Sequence, residues 1–327
     1  MRAAVVTAYG GPSVVQVRAV ARPRVGEGQL LVRVVASTVT RGDTELREMA
    51  MPWLFRVPLR LWLGVRRPRR DTVLGMELAG IVEEVGPGVE GFAAGGPVFG
   101  LRGMGFGGNA EYATVAAKDL IAKAPADTDV EQLAALAVGG LAALGYLRKG
   151  GIQAGARVLV RGASGSIGTY AVQLAKHQGA HVTAICPAEH APAVTELGAD
   201  EVIASTSEDF VDRPERYDLM LDVVGRMPIA RCLRVLTPHG RYVRGTIPGV
   251  GEVLRALWTA LTSRKRVVMG DAGGSAEDLA HLAQLVHAGS LRTVIDRRYP
   301  LAEISQAHDY VAQGHKRGNV IITLPGD

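Results

Sequence analysis

Residues 157–168 read Arg157-Val158-Leu159-Val160-Arg161-Gly162-Ala163-Ser164-Gly165-Ser166-Ile167-Gly168, and a helical pattern then runs to a glycine at Gly179. The first five residues are strand-like, the next seven are glycine-rich, and Gly179 is placed to cap the helix C-terminus. A full GxGxxG motif needs glycine at position 163, so the loop is AxGxxG with an extra glycine, Gly162, before it. Alone the pattern is weak; strand, loop, helix and second strand in that order strengthen it. Gly165 lets backbone approach a pyrophosphate, and Gly168 allows helix to pack closely on strand. The helix N-terminus turns unpaired N–H groups and a positive dipole toward phosphate. The stretch therefore predicts a dinucleotide site.

The same rhythm continues downstream. Strand-like runs at 181–186, 201–203, 219–223, 241–243 and 267–269 alternate with helical runs at 191–197 and 229–236. That alternation predicts a parallel sheet covered by helices. Ser275-Ala276-Glu277-Asp278 is placed to cap a helix ending near His287. Upstream, strand-like runs at 3–7, 14–20, 30–37, 78–85 and 110–115 are separated by Gly/Pro turns, as in a barrel-like domain. The tail returns to strands at 292–295 and 320–324 and is expected to rejoin the first domain.

The chain of 327 residues is long enough for two domains. Cys186 and Cys232 are its only cysteines, too few for a disulfide framework and not in a metal-ligand spacing. With no apolar leader at the N-terminus, this fits a reducing cytoplasm. The longest apolar run, 133–147, is too short to span a membrane and reads as a buried helix opened by Thr128-Asp129-Val130-Glu131. Of the net charge of +5, six arginines (Arg56, Arg60, Arg66, Arg67, Arg69 and Arg70) fall in one acid-free stretch. Such a stretch suits nucleic acid or anionic lipid, but a solvated loop or lid is the simpler reading. The adjacent Trp53, Phe55 and Trp62 equally suit packing over a substrate cleft. The eight histidines are scattered without zinc-ligand spacing.

An acid near the end of the second strand commonly binds the adenosine ribose. Cys186 is at that end and Glu189 lies just past it. Glu189 favours a free ribose hydroxyl, hence NADH. A 2′-phosphate would want a cation there, and only His190 and the more distant Arg241 and Arg244 offer one.

Several stretches in order resemble the medium-chain dehydrogenase/reductase superfamily, most closely its zinc-independent quinone oxidoreductase-like branch. They are 75–86 (GMELAGIVEEVG), Ala110-Glu111-Tyr112, 162–176, Leu197-Gly198-Ala199-Asp200, Tyr217-Asp218, Asp222-Val223-Val224-Gly225 and Gly318-Asn319-Val320. The resemblance implies an α/β protein with a GroES-like β-rich substrate domain, discontinuous over 1–123 and 288–327, and a Rossmann doubly wound domain over 124–287. It also implies a homodimer, a cofactor held between the domains, and hydride transfer from NADPH or NADH to a quinone or enone. Carried over by motif, Ser164, Gly165, Ser166 and Ile167 hold the pyrophosphate, and Cys186 and its followers the adenosine end. Val223, Val224, Gly225, Gly245, Thr246 and Ile247 fall on the nicotinamide side. Asn319 falls in the C-terminal cofactor-contacting strand.

Four departures bear on the chemistry. Thr40 and Met76 stand where zinc relatives have a cysteine and a histidine, and no cysteine precedes Cys186, so neither a catalytic zinc nor a four-cysteine lobe is expected. Glu189 replaces a basic residue. Gly95-Gly96-Pro97-Val98 replaces a Gly-Asp-Arg-Val-like turn, and Leu141-Ala142-Ala143-Leu144 carries alanine where a threonine is common. Thr40 and Asp43 are the polar candidates for catalysis, with a turn or helix cap the competing reading of Asp43. Two further functions compete: an enoyl-thioester reductase of fatty-acid or polyketide metabolism, and a cofactor-binding protein without catalysis. The substrate is a small molecule in the first two; no nucleic acid and no membrane span are expected.

Overall fold

The protein is described here from a computed structural model covering residues 1–69, 72–102, 106–205 and 209–324; Arg70 of the arginine stretch lies outside the described residues. The chain forms two compact units, Met1–Val138 with Ser275–Asp327, and Gly139–Gly274. Residues 124–138 and 275–287, read from sequence with the Rossmann domain, lie by contact in the first unit.

In the first unit β1 (Arg2–Val6) pairs antiparallel with β2 (Val15–Ala19). The long β3 (Gln29–Thr38) is the backbone of the main sheet. Its end leads into α1 (Arg41–Glu48) and then α2 (Trp53–Leu63). The arginine stretch is therefore partly helical, not simply a loop. Strands β4 (Glu77–Val85), β5 (Pro97–Leu101), β6 (Tyr112–Ala116) and β7 (Ile121–Lys123) complete this part. Val32, Val34, Val82, Val98 and Val115 bury in one core because alternate residues of these strands face it. The apolar run at 133–147 forms two helices, α3 (Val130–Ala134) and α4 (Leu136–Gly150). Asp129 caps α3, accepting from the Glu131 N–H at 3.0 Å, while the Thr128 hydroxyl sits 3.1 Å from His287 Nδ1. The expected threonine capping box is thus replaced by an aspartate cap.

The second unit holds β8 (Arg157–Arg161), α5 (Ser166–His177), β9 (His181–Cys186), α6 (Ala191–Glu196), β10 (Glu201–Ala204) and β11 (Tyr217–Asp222). After them come α7 (Ile229–Arg234), β12 (Leu236–Arg244), α8 (Val250–Thr262) and β13 (Arg266–Val268). The described strands make one parallel sheet in the order β10-β9-β8-β11-β12-β13. Numbered from β8, that is 3-2-1-4-5-6, the order of a doubly wound dinucleotide fold. Its crossover falls between β8 and β11, where a ligand crevice is expected beyond the strands' carboxyl ends.

The chain then returns to the first unit through α9 (Ala276–His287), with Ser275 and Asp278 forming the expected capping box. β14 (Ile295–Pro300), α10 (Ile304–Gln313) and β15 (Asn319–Thr323) follow. β14 begins at Ile295, where the sequence reading ended its strand; the Val294 carbonyl just before it accepts from Asn319. β15 pairs with β3 on one side and β14 on the other and adds Val320 and Ile322 to the first core.

Candidate active site

Beyond Arg161 the chain turns through Gly162 at φ +86°. A β-carbon there would stand 2.8 Å from side-chain carbons of Val223 and Val224, so both backbone and space demand glycine. Gly168, in the first turn of α5, is tighter: a β-carbon would lie 2.1 Å from the Gly162 oxygen. Its absence is what lets helix and loop touch. Gly165 differs from both. Its φ of −80° suits any residue, and a β-carbon would approach only the Gly162 oxygen, at 3.4 Å. The protein's own packing does not require glycine at 165. The volume it leaves lies at the N-terminus of α5, whose N-cap makes no side-chain capping bond. A helix N-terminus beside unclaimed space is the feature that receives a pyrophosphate.

Ser164 and Gly168 are buried, and Ser166 and Ile167 open α5 half-buried. The Ser164 hydroxyl sits 3.1 Å from His190 Nδ1, which ties the loop to the turn after β9. That turn carries Glu189, exposed on a single 3-10 turn. Cys186, at the end of β9, is buried; burial first and Glu189 second push its thiol up to about 11, so it stays a neutral apolar wall. Arg241 donates to the Lys149 carbonyl, and Arg244 donates to the Gly225 carbonyl and pairs with Glu252 at 2.7 Å. The two distant cations are therefore engaged elsewhere, and His190 faces Ser164.

Asp222, unexposed at the end of β11, organises the other side of the crossover. One oxygen accepts from the N–H groups of Val224 at 3.0 Å and Gly225 at 2.9 Å; the other accepts from the Tyr242 hydroxyl at 3.0 Å. Arg161 supplies the countercharge at 3.1 Å. This fixes the Val223-Val224-Gly225 turn, in which Gly225 has φ +67° and a β-carbon would strike Thr246 Oγ1 at 2.0 Å. Gly245 is half-buried against Tyr146 and Val223. Val224 and Ile247 stand 38% and 44% exposed, apolar side chains left uncovered at the strand ends. In the sequence Asp222 stands out only as part of a motif; its position as the last residue of a buried strand is the signal that marks it.

In the first unit, Thr40 is the N-cap of α1 and Asp43 completes a capping box with it. Asp43 is fully buried and accepts from Thr40 N at 2.8 Å, Thr40 Oγ1 at 2.6 Å and Gly75 N at 3.1 Å. Its carboxylate holds a helix start and the 75–76 corner, the cap role that the sequence also allowed. Thr40 Oγ1 spends its proton on Asp43 and lies 3.8 Å from Met76 Sδ. Asn319 starts β15 with its amide donating to the Val294 carbonyl at 3.1 Å, so it lies in the first unit and the glycine loop in the second.

Glu77 was not singled out from sequence, which cannot show burial. It is 1% exposed, accepting from Thr38 Oγ1 and from Val138 N, each at 2.6 Å. Burial, reinforced by nearby Asp43, pushes its carboxyl up to about 7 against the hydrogen bonds and Lys316. The folded state then holds a proton that the unfolded chain gives up near 4.5. Stability from this group is present below the unfolded value and falls as pH rises through about 7. Glu77→Gln mimics the protonated form. It should gain on the order of 2 kcal/mol over the parent at pH 8 and nothing at pH 4. Denaturant titrations of both proteins across pH check this, and a pH-independent difference contradicts it.

With this geometry in place, comparison with known proteins gives two profile matches. The alcohol dehydrogenase GroES-like domain matches residues 26–126, and a family described as zinc-binding dehydrogenase matches residues 197–322. The chain is 31% identical over 339 residues to the chloroplastic quinone-oxidoreductase QR1 of Triphysaria versicolor, covering 98% of each. The chain belongs to the medium-chain dehydrogenase/reductase superfamily, in its quinone oxidoreductase-like branch. As such a reductase it is also 36% identical over 262 residues to a chloroplast envelope quinone oxidoreductase homolog of Arabidopsis thaliana, covering 75% of this chain and 78% of that one. The quinone oxidoreductase structure from Coxiella burnetii superposes with a TM-score of 0.89 at 26% identity, covering 99% of both chains. The GroES-like domain and the Rossmann-type parallel sheet are those of this superfamily, as the sequence motifs implied.

Proposed function

We propose that this reductase transfers hydride from NADH to a quinone or an enone without zinc. The carrying observation is the unclaimed volume at Gly165 in front of the α5 N-terminus, beside the crossover of the parallel sheet. The residues present fit a nicotinamide dinucleotide. Gly162, Ser164, Gly165, Ser166, Ile167 and Gly168 would hold its pyrophosphate. Cys186 and Glu189 would face the adenosine end, and Val223, Val224, Gly225, Gly245 and Ile247 the nicotinamide; Asn319 is a cofactor contact by family motif alone. When bound, the dinucleotide supplies the hydride.

This chain's residues do the rest. Val224 and Ile247 offer apolar surface that excludes water, which protects a hydride from wasteful protonation. Asp222 holds the turn that carries Val224 by its backbone N–H groups. A quinone needs no Lewis acid to accept hydride, and Thr40 and Met76, in place of ligands, leave none in the zinc position. An enone also needs a proton at carbon, which water supplies in this reading, since Thr40 and Asp43 spend their polar atoms on each other. Thr40 and Asp43 are positioning residues here, holding the end of β3 and the start of α1. The reading extends to a homodimer in a reducing cytoplasm, where Cys186 and Cys232 stay free thiols.

Two measurements test it. Purified protein mixed with NADH or NADPH and a panel of quinones, enones and a crotonyl thioester should oxidise the cofactor with quinones and enones, and a chelator should leave the rate unchanged. Binding without oxidation across the panel would make it a non-catalytic cofactor protein. Glu189→Arg should move the NADH/NADPH affinity ratio at least about tenfold toward NADPH, by exchanging a ribose acceptor for a phosphate partner. An unchanged ratio would remove Glu189 from the site.

A further inference from the structure

All three tryptophans of the chain, Trp53, Trp62 and Trp258, lie on α2 and α8, with 65%, 44% and 62% exposure. Both helices are amphipathic in the reverse sense. α2 rests on the first core through buried Leu63 and half-buried Leu59, with the Arg60 guanidinium 5.1 Å over the Tyr9 ring. At about 100° per residue, Trp53, Leu54, Val57, Pro58 and Leu61 share an arc of about 140° on the opposite side. All five are exposed. α8 seats its polar and small side: Thr259 is buried, and Glu252 bonds the Gly249 N–H at 2.7 Å and pairs with Arg244. Val250, Val253, Leu254, Leu257, Trp258 and Leu261 recur at i, i+3, i+4, i+7, i+8 and i+11 and face solvent, Leu261 at 84%.

The charge around the two helices repeats as well. No acid occurs between Glu48 and Asp71, where α2 is followed by Arg66, Arg67, Arg69 and Arg70. None occurs between Glu252 and Asp271, where α8 is followed by Arg264, Lys265 and Arg266. The same device, an outward Trp/Leu/Val face ending in a cationic cluster, is built once in each unit.

We infer that α2 and α8 are interfacial anchors, each able by itself to dock its own unit onto an anionic lipid bilayer. No helix among the described residues is long and apolar enough to cross a membrane, so these lie in the interface plane. Tryptophan favours the headgroup boundary, and an acid-free arginine cluster complements anionic headgroups. Nucleic acid would engage the arginines but gives no reason for an uncovered apolar arc on each helix. A second copy would bring two positive faces together. The inference does not depend on the reductase reading.

The test is co-sedimentation and tryptophan emission of the full chain with vesicles of phosphatidylcholine, alone or mixed one to one with phosphatidylglycerol. The mixed vesicles should bind the protein, blue-shift its emission and release much of it in high salt; phosphatidylcholine alone should bind it weakly. Trp53→Ser with Leu61→Ser, and separately Leu257→Ser with Trp258→Ser, should each lower the partition coefficient at least about tenfold. Replacing Arg66, Arg67 and Arg69 with serine should lower it about fivefold per arginine. These side chains are exposed, so the unfolding midpoint should hold; if a variant fails to fold, the lipid-composition and salt dependence of the parent still decide. No binding to the mixed vesicles overturns the inference. So does a solution dimer without vesicle binding that the apolar substitutions dissociate, or salt-dependent binding to DNA without vesicle binding.

Discussion

Gly165→Val should raise the dissociation constant for the nicotinamide dinucleotide at least about 100-fold while leaving the unfolding midpoint within a few degrees of the parent. The backbone at 165 accepts a β-branched residue, and only one protein atom, the Gly162 oxygen, comes near the added carbon. The valine methyls would fill the volume ahead of the α5 N-terminus that a pyrophosphate needs. Gly168→Ala is the contrast. Its methyl would sit 2.1 Å from the Gly162 oxygen and 2.7 Å from the Ala163 Cα, both backbone. No side-chain rotation relieves that, so the loop and α5 must separate, at a cost of about 3 kcal/mol in stability. Calorimetric titration and thermal unfolding of both variants separate a ligand-space glycine from a packing glycine. If Gly165→Val binds cofactor normally, the volume at 165 is not the pyrophosphate site.

Asp222→Ala carries the other large effect. Its carboxylate is unexposed and serves two backbone N–H groups, the Tyr242 hydroxyl and the Arg161 guanidinium. Truncation leaves all four without this acceptor and Arg161 without its countercharge, a loss of about 3–5 kcal/mol. The Val223-Val224-Gly225 turn would loosen with it. Asp222→Asn keeps an acceptor for the N–H groups but turns an amide donor on Arg161 or Tyr242, and should lose roughly half as much. Denaturant unfolding reads the stability, and cofactor affinity reads the turn. If Asp222→Ala is as stable as the parent, the network is not what holds this edge.

The glycine loop was legible because its signal is local: each glycine answers a φ or a contact made within a few residues, and β8 and β9 were bounded to the residue by apolar runs. The parallel sheet followed from the alternation of strands and helices. Other features resisted reading for definite reasons. The periodicity of α8 says which residues share a face, but not that this face points outward, because burial depends on what is packed opposite. Arg56 to Arg70 read as a loop because Pro58 and the dense charge mask an 11-residue helix. Asp43 offered the same polar residue at a strand end whether it capped a helix or met a substrate, and only its three short bonds assign the cap. Glu77 looked like one acid in a motif, since its raised carboxyl arises from burial beneath distant Val138 and beside Lys316.

The proposed reaction is metal-free hydride transfer from a nicotinamide on the Gly162–Gly168 loop. The most direct measurement is the absorbance of reduced nicotinamide when chelator-treated protein meets NADH and then a benzoquinone. Absorbance should fall at a rate proportional to enzyme, undiminished by the chelator, and Gly165→Val at equal concentration should not produce the fall. Loss of the parent's activity in chelator with recovery on added zinc, or an unchanged rate in Gly165→Val, would contradict it.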